Sequence, residues 1–188
     1  IAWLRDERPD VFARTVSIRF VNDFVVERLT GVAVMNPSDA SITQLFNIAT
    51  VDWDERLLEL AGITRHQVSP VWPSGRAVGS LTAEASRITG LPPGTLVITG
   101  AHAQYCAAVG TGVTRPGTVL LSCGTAWVIR AVPEDLEGGL ASGMAISCHA
   151  VSGMWGAIRS LGGVGASLEW FLNQIWCPSD TAARAEAY

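Results

Sequence analysis

The sequence predicts a mixed α/β fold from three observations. In residues 1–70, apolar residues recur at helical spacing behind polar residues suited to cap helices. Two β-rich runs, 118–121 and 126–132, flank a tight Cys123-Gly124-Thr125 turn, the pattern of a hairpin. An apolar run at 96–99 gives way to GAHAQYCAAVGTG (100–112), built of glycine, alanine and other small residues, as where a strand ends close to a ligand and a helix begins.

Each element follows in order. Asn22 is placed to cap a helix over 23–30 that Gly31 ends. Ser38 or Asp39 caps the next helix, which carries Ile42, Leu45 and Phe46; Asp52 or Asp54 opens a third, with Leu57, Leu58 and Leu60 before Gly62. Residues 75–79 read as extended, 82–89 as a helix stopped by Gly90, 96–99 as a strand and 101–109 as a helix. After the hairpin, residues 162–174 form an amphipathic helix with Leu168, Phe171 and Leu172 on one side. Ser179-Asp180-Thr181 caps a last, alanine-rich helix. The chain starts inside a helical pattern and stops inside another, so it reads as a piece of a longer protein.

Composition narrows the function. With 188 residues, 48% of them hydrophobic and 16% charged, the chain can bury a core. All thirteen basic residues are arginines, scattered in a chain of net charge −4, which argues against a nucleic-acid groove or a polybasic membrane patch. Without lysine there is neither Schiff-base chemistry nor a Walker-type P-loop. Cysteines 106, 123, 148 and 177 form no C-x-x-C pair, so no zinc or other metal cluster is expected, and reduced thiols in a cytoplasmic protein are the default. The uncharged stretches 88–114 and 138–158 are too rich in Gly, Pro, Ser and His for a transmembrane helix.

The chemistry-bearing residues leave alternatives open. The Gly124-Thr125 turn is either a simple tight turn or a place where N–H groups and a hydroxyl meet an anion. Gly162, Gly163 and Gly165, just before a helix, either serve packing or bring a helix N-terminus to a phosphate. His102 and His149 are bases or hydrogen-bonded structural residues, and Cys123 lacks an evident histidine partner for a nucleophile. The seven tryptophans are sugar-stacking candidates, most of them expected in the core.

Taken together these segments resemble the middle of an FGGY carbohydrate kinase, the family of xylulokinases and glycerol kinases. WLRDERPDVFARTVSIRFVNDFVVERLTG is similar to its Trp-Leu … Asp … Leu-Thr-Gly segment, and NPSDASITQLFNIATVDWDERLLELAGI to its Ala-Ser-x-Thr … Trp segment. GRAVGSLTAEASRITGLPPGTLVITGAHAQYCAAVGTG resembles the stretch leading to the active site, and LSCGTAW the Gly-Thr-Ser phosphate turn. The resemblance implies an actin-like, ribonuclease H-like ATPase fold of two domains with a cleft between them. Residues 1–112 would be the C-terminal part of the sugar-binding domain, and 113–188 the first part of the nucleotide-binding domain. It implies ATP and Mg²⁺ as cofactors, a small sugar or polyol as substrate, and room for a homodimer. Gly124, Thr125 and Gly165 match nucleotide-binding positions, Gln104 a residue that hydrogen-bonds a substrate hydroxyl, and His102 its neighbour in the same motif.

One position departs from the family. The motif at 100–104 normally reads Gly-x-x-Asp-Gln, its aspartate taking the proton from the attacking hydroxyl; here that catalytic position is Ala103. Ala126, where the family usually has serine, is a milder change. Three readings follow: a sugar kinase with its base removed, a kinase-derived protein that binds without turnover, or an interaction module on the same fold.

Overall fold

The computed structural model describes residues 1–176, and the chain divides into two compact units. The first takes Ile1–Gly112 and Ser147–Trp155; the second takes Val113–Ile146 and the chain from Gly156 onward. A single division at 112 therefore misses one feature: the stretch Ser147–Trp155 packs with the first unit.

In the first unit, short helices α1 (Ala2–Glu7) and α2 (Pro9–Arg14) lead to α3 (Val21–Thr30), which Gly31 ends at φ +80°, where only glycine is unstrained. Asn22 does not cap α3. Phe20 holds the cap position without a side-chain bond, and Asn22 lies inside the helix, its amide turned to Asp39. Helix α4 (Pro37–Ser41) is likewise capped two residues earlier than the sequence suggests. Asn36 accepts from the Asp39 N–H at 2.9 Å and Pro37 supplies a preset first turn. The helix stops at Ser41 because the Thr43 hydroxyl takes the Ala40 carbonyl and then accepts from Leu45 N–H. Leu45 and Phe46, expected on a helix, follow that turn, and Phe46 lies in β1 (Phe46–Asn47), antiparallel to β2 (Asp52–Trp53).

Asp54 caps α5 (Glu55–Ala61), as the sequence predicts, and Gly62 closes it. Strands β3 (Ala77–Ser80) and β4 (Leu96–Ile98) pair antiparallel around α6 (Ala83–Thr89), capped by Thr82. Helix α7 (Ala103–Gly110) follows β4. The core joins Met35, Phe46, Trp53, Leu58, Ile63 and Val68 with Cys148. Burial raises the Cys148 thiol above its ordinary acidity range, against a smaller opposing effect of Ser41.

The second unit is built on a sheet in the order β5-β6-β8-β7: β5 (Val119–Cys123), β6 (Trp127–Ala131), β8 (Trp155–Ser160) and β7 (Ala145–Cys148). β5 and β6 form the expected hairpin, with Cys123 opposite Trp127, and β6 pairs antiparallel with β8. Helix α8 (Leu136–Ala141) lies between β6 and β7 in the chain. Helix α9 (Val164–Phe171) continues into a π-helical turn, Leu172–Trp176. The helix expected after Ser179 lies outside the described residues, as does Cys177. The tryptophans depart from expectation: Trp53 is buried, whereas Trp3, Trp170 and Trp176 are exposed.

Candidate functional site

The sequence-predicted residues fall into two groups, one in each unit. In the first unit, β4 ends and Gly100 turns the chain at φ +66°, a value that favours glycine. His102 caps α7, its Nδ1 accepting from Gln104 N–H at 3.3 Å, and Ala103 is the exposed first residue of the helix. That bond turns His102 Nδ1 toward the start of its own helix. Gln104 is half-buried, and its Oε1 is shielded from solvent without a hydrogen-bond partner. A buried acceptor left unmatched costs about 1–3 kcal/mol.

Ala103 and His102 open onto a pocket of ≈ 580 Å³, walled by Phe20, Val25 and Ile42. Its polar side chains are Asn22, Asp39 and His102. Residue 103 contributes a methyl group.

In the second unit, Gly124, Thr125 and Ala126 are exposed in the turn between β5 and β6. The start of α9 is pressed against this turn: Ala166 N–H donates to the Thr125 carbonyl at 3.2 Å. A Cβ on Gly165 would stand 2.0 Å from the Gly124 carbonyl oxygen, so only glycine fits. Among the described residues, the N–H groups of Gly124, Thr125, Ala126, Val164 and Gly165 find no backbone acceptor. N–H donors without a partner, together with the Thr125 hydroxyl, are the groups that suit the oxygens of a phosphate. The structure thus brings Gly124, Thr125 and Gly165 together.

The remaining candidates are structural. His149 is buried, accepts from Val151 N–H through Nδ1 at 3.0 Å and stacks edge-on with Tyr105. Cys106 and Cys123 are exposed and free. Among the described residues no group of three or more His, Cys, Asp and Glu is arranged to hold a metal, and no helix is long and apolar enough to cross a membrane.

The α/β architecture, with a small-residue helix start behind a strand in one unit and a glycine-built corner on an antiparallel sheet in the other, is that of the actin-like ATPase fold. The family model for the FGGY family of carbohydrate kinases, N-terminal domain, matches residues 1–110, and the chain belongs to that family. It is 30% identical over 172 residues to the autoinducer-2 kinase of Yersinia enterocolitica, covering 91% of this chain and 32% of that protein. The structure of xylulose kinase from Rhodospirillum rubrum superposes with a TM-score of 0.85 at 29% identity, over 98% of this chain and 38% of that one. Plasmodium falciparum glycerol kinase with ADP, at 17% identity, shares the fold over 97% of this chain and 38% of its own, with a TM-score of 0.83. The chain spans about a third of the length of the curated relatives it matches.

Reading the residues alone missed the polar side chains behind the 100–103 loop. Asn22, Ser38 and Asp39 were legible only as helix caps. The bond from His102 N–H to Ser38 Oγ crosses 64 positions of sequence, and Asn22 and Asp39 reach it only through Asn36.

Proposed function

We propose that the protein to which this chain belongs transfers a phosphoryl group from ATP, with Mg²⁺, to a hydroxyl of a small sugar or polyol, slowly for want of a base at position 103. Residues 1–112 serve the sugar and 113–188 the nucleotide. The observation that carries the reading is the Gly124-Thr125-Gly165 corner, whose free N–H groups fit phosphate oxygens. Bound ATP would supply the phosphoryl group and its metal-neutralised charge. The chain's own part is to hold phosphate oxygens with the N–H groups of the corner and the Thr125 hydroxyl, and to accept a sugar hydroxyl at Gln104 Oε1. A hydroxyl that becomes a phosphate ester must lose its proton. Ala103 cannot take it, and His102 turns its lone pair to Gln104 N–H instead. Loss of a positioned base costs ~10²–10⁴ in rate, while positioning and electrostatics persist.

Ala103 also favours a second reading, binding without turnover. One experiment separates them. Ala103→Asp in the full-length protein is assayed by coupled ADP release over a panel that includes xylulose, autoinducer-2, glycerol and other polyols. Turnover with at least one panel member is expected to rise roughly 10²-fold or more. A variant that binds a sugar and ATP by calorimetry yet releases ADP no faster overturns the kinase reading. In the same assay Thr125→Ala weakens ATP binding; unchanged affinity counts against the corner as the phosphate site.

A further inference from the structure

The 100–103 loop carries the catalytic position, yet its own sequence has little to hold it: Gly100, Ala101 and Ala103 offer no polar side chain. The structure holds it from behind, through a chain of hydrogen bonds with a defined direction. The His102 N–H donates to Ser38 Oγ at 2.8 Å. Ser38 Oγ–H donates to Asn36 Oδ1 at 2.6 Å. The other end of that amide, Asn36 Nδ2, donates to Asp39 Oδ2 at 2.7 Å, and Asn22 Nδ2 from α3 reaches the same oxygen at 2.7 Å. Asn36 and Ser38 are fully buried and Asp39 is 7% exposed.

The Asp39 carboxylate accepts the Asn36 NH₂, and the Asp39 N–H, which donates to Asn36 Oδ1 at 2.9 Å, turns the amide the same way, so residue 39 holds the sense of the chain from both ends of that amide. Its carboxylate draws the Asn36 NH₂ toward itself, which turns the Asn36 carbonyl to Ser38. The Ser38 proton then points at that carbonyl, leaving a lone pair for the His102 N–H. A neutral amide or hydroxyl in place of Asp39 fixes this order less strongly, and an apolar residue leaves two buried NH₂ groups unmatched.

We propose that Asp39 is a positioning residue for the 100–103 loop, acting through Asn36 and Ser38 on the His102 N–H, and so setting where residue 103 stands toward the sugar hydroxyl. The functional half of this statement rests on the kinase reading; the structural half does not. Asp39→Asn preserves the arrangement, because its single carbonyl oxygen can accept from both Asn22 and Asn36. Asp39→Ala and Ser38→Ala break it at its two ends.

The test is residue-resolved amide hydrogen exchange, with the Thr99 N–H, bound to the Arg76 carbonyl, as the internal reference. In Ser38→Ala and Asp39→Ala the His102 amide is expected to exchange about tenfold faster or more relative to Thr99, and in Asp39→Asn within a few-fold of the unaltered chain. Should Asp39→Ala fail to fold, Ser38→Ala and Asp39→Asn still decide. An unchanged His102 amide in Ser38→Ala, or an Asp39→Asn variant as fast as Ser38→Ala, overturns the proposal. In full-length Ala103→Asp protein, adding Asp39→Ala should lower kcat with the KM for ATP retained, and Asp39→Asn should recover most of it. Equal kcat with and without Asp39→Ala overturns the functional half. If Ala103→Asp itself shows no turnover, the kinase reading fails, while the exchange data still judge the loop.

Discussion

The turn at Gly124-Thr125 and the loop at 100–104 are built on opposite principles. The turn is made mostly of backbone: N–H groups, and a glycine at 165 that lets α9 touch it. Apart from the Thr125 hydroxyl, side chains can be changed there without altering the donors, provided the glycine stays. The loop is made of side chains, with Ser38, Asn36 and Asp39 behind it and residue 103 in front. A backbone-built site tolerates drift in sequence; a side-chain-built site is lost or restored by one codon. On the reading proposed above, the phosphate corner therefore persists in a chain that carries alanine at position 103.

The sharpest way to break this comparison is Gly165→Ala. Its new methyl would meet a backbone carbonyl oxygen at 2.0 Å, which no rotamer change relieves, so α9 must move off the turn. We expect a stability loss at the upper end of the ~1–3 kcal/mol typical of overpacking, or more, together with loss of nucleotide binding. Gly162→Ala is the control. Gly162, unlike Gly165, has positive φ (+74°), but nothing lies within 4 Å of its Cβ position, so only left-handed strain, ~1–2 kcal/mol, applies. Chemical denaturation of both variants checks the order. A Gly165→Ala protein as stable as Gly162→Ala would mean that the corner yields.

The side-chain-built region should respond to subtler changes. The Tyr105 hydroxyl on α7 meets the buried Ser147 hydroxyl, the Cys148 N–H donates to Ser41 Oγ at 3.0 Å, and Trp155 Nε1–H donates to the Ile48 carbonyl at 3.1 Å, so polar contacts at both ends fix the Ser147–Trp155 stretch in the first unit. Tyr105→Phe removes one of them and strands Ser147, at an expected cost of ~1–3 kcal/mol. Replacing both, Tyr105→Phe with Ser147→Ala, should recover part of that loss. Denaturation midpoints of the two variants decide; a double variant less stable than the single one would show that the pairing is not what Tyr105 contributes.

Much of this contrast was legible in the sequence. Glycine stops at 31, 62 and 90, the Asp54 cap, the helix at 82–89 (whose first residue, Thr82, serves as its cap) and the β5–β6 hairpin all depend on local chemistry, and each stands where local reasoning puts it. The misreadings share one cause. Asn22 and Asp39 look like caps, but their side chains answer to each other, seventeen residues apart in the chain. Local preference yields wherever a buried polar group has a stronger distant partner. The Gly165 approach to Gly124 and the passage of Ser147–Trp155 into the first unit are also long-range matters, which no periodicity records.

Asp23 tests the cost of burying charge within the side-chain-built unit. It is fully buried, and burial raises its carboxyl above the ordinary value of 3.8; the Ser69 hydroxyl at 2.5 Å, Arg19 and the N–H groups of Phe20 and Phe24 oppose this. The folded chain therefore holds this proton more tightly than the unfolded one. Its contribution to stability is fully present below the ordinary value and is lost as pH rises through the raised one. Asp23→Asn removes that titration. The stability of the variant relative to the unaltered chain should improve from acid toward neutral pH, and denaturant melts at both ends of the range measure it. A difference independent of pH would show that Asp23 is no more basic in the fold than outside it.

The smallest expected effect is the one that most directly separates function from stability. Gln104 keeps Oε1 shielded from water with no partner, a cost without structural return. Gln104→Met is close in length and removes the unmatched acceptor, so stability should hold or rise by up to about 1 kcal/mol. Sugar binding should fall by about tenfold or more, because the hydroxyl that Gln104 is proposed to receive loses its acceptor. Most substitutions that weaken a binding site by damaging its frame lower both quantities together; here they should move apart. Thermal denaturation and sugar titration of the same full-length Ala103→Asp protein, with and without Gln104→Met, supply both numbers. A variant that loses stability would show that the Gln104 amide is satisfied within the fold, and one that binds sugar as before would remove it from the substrate site.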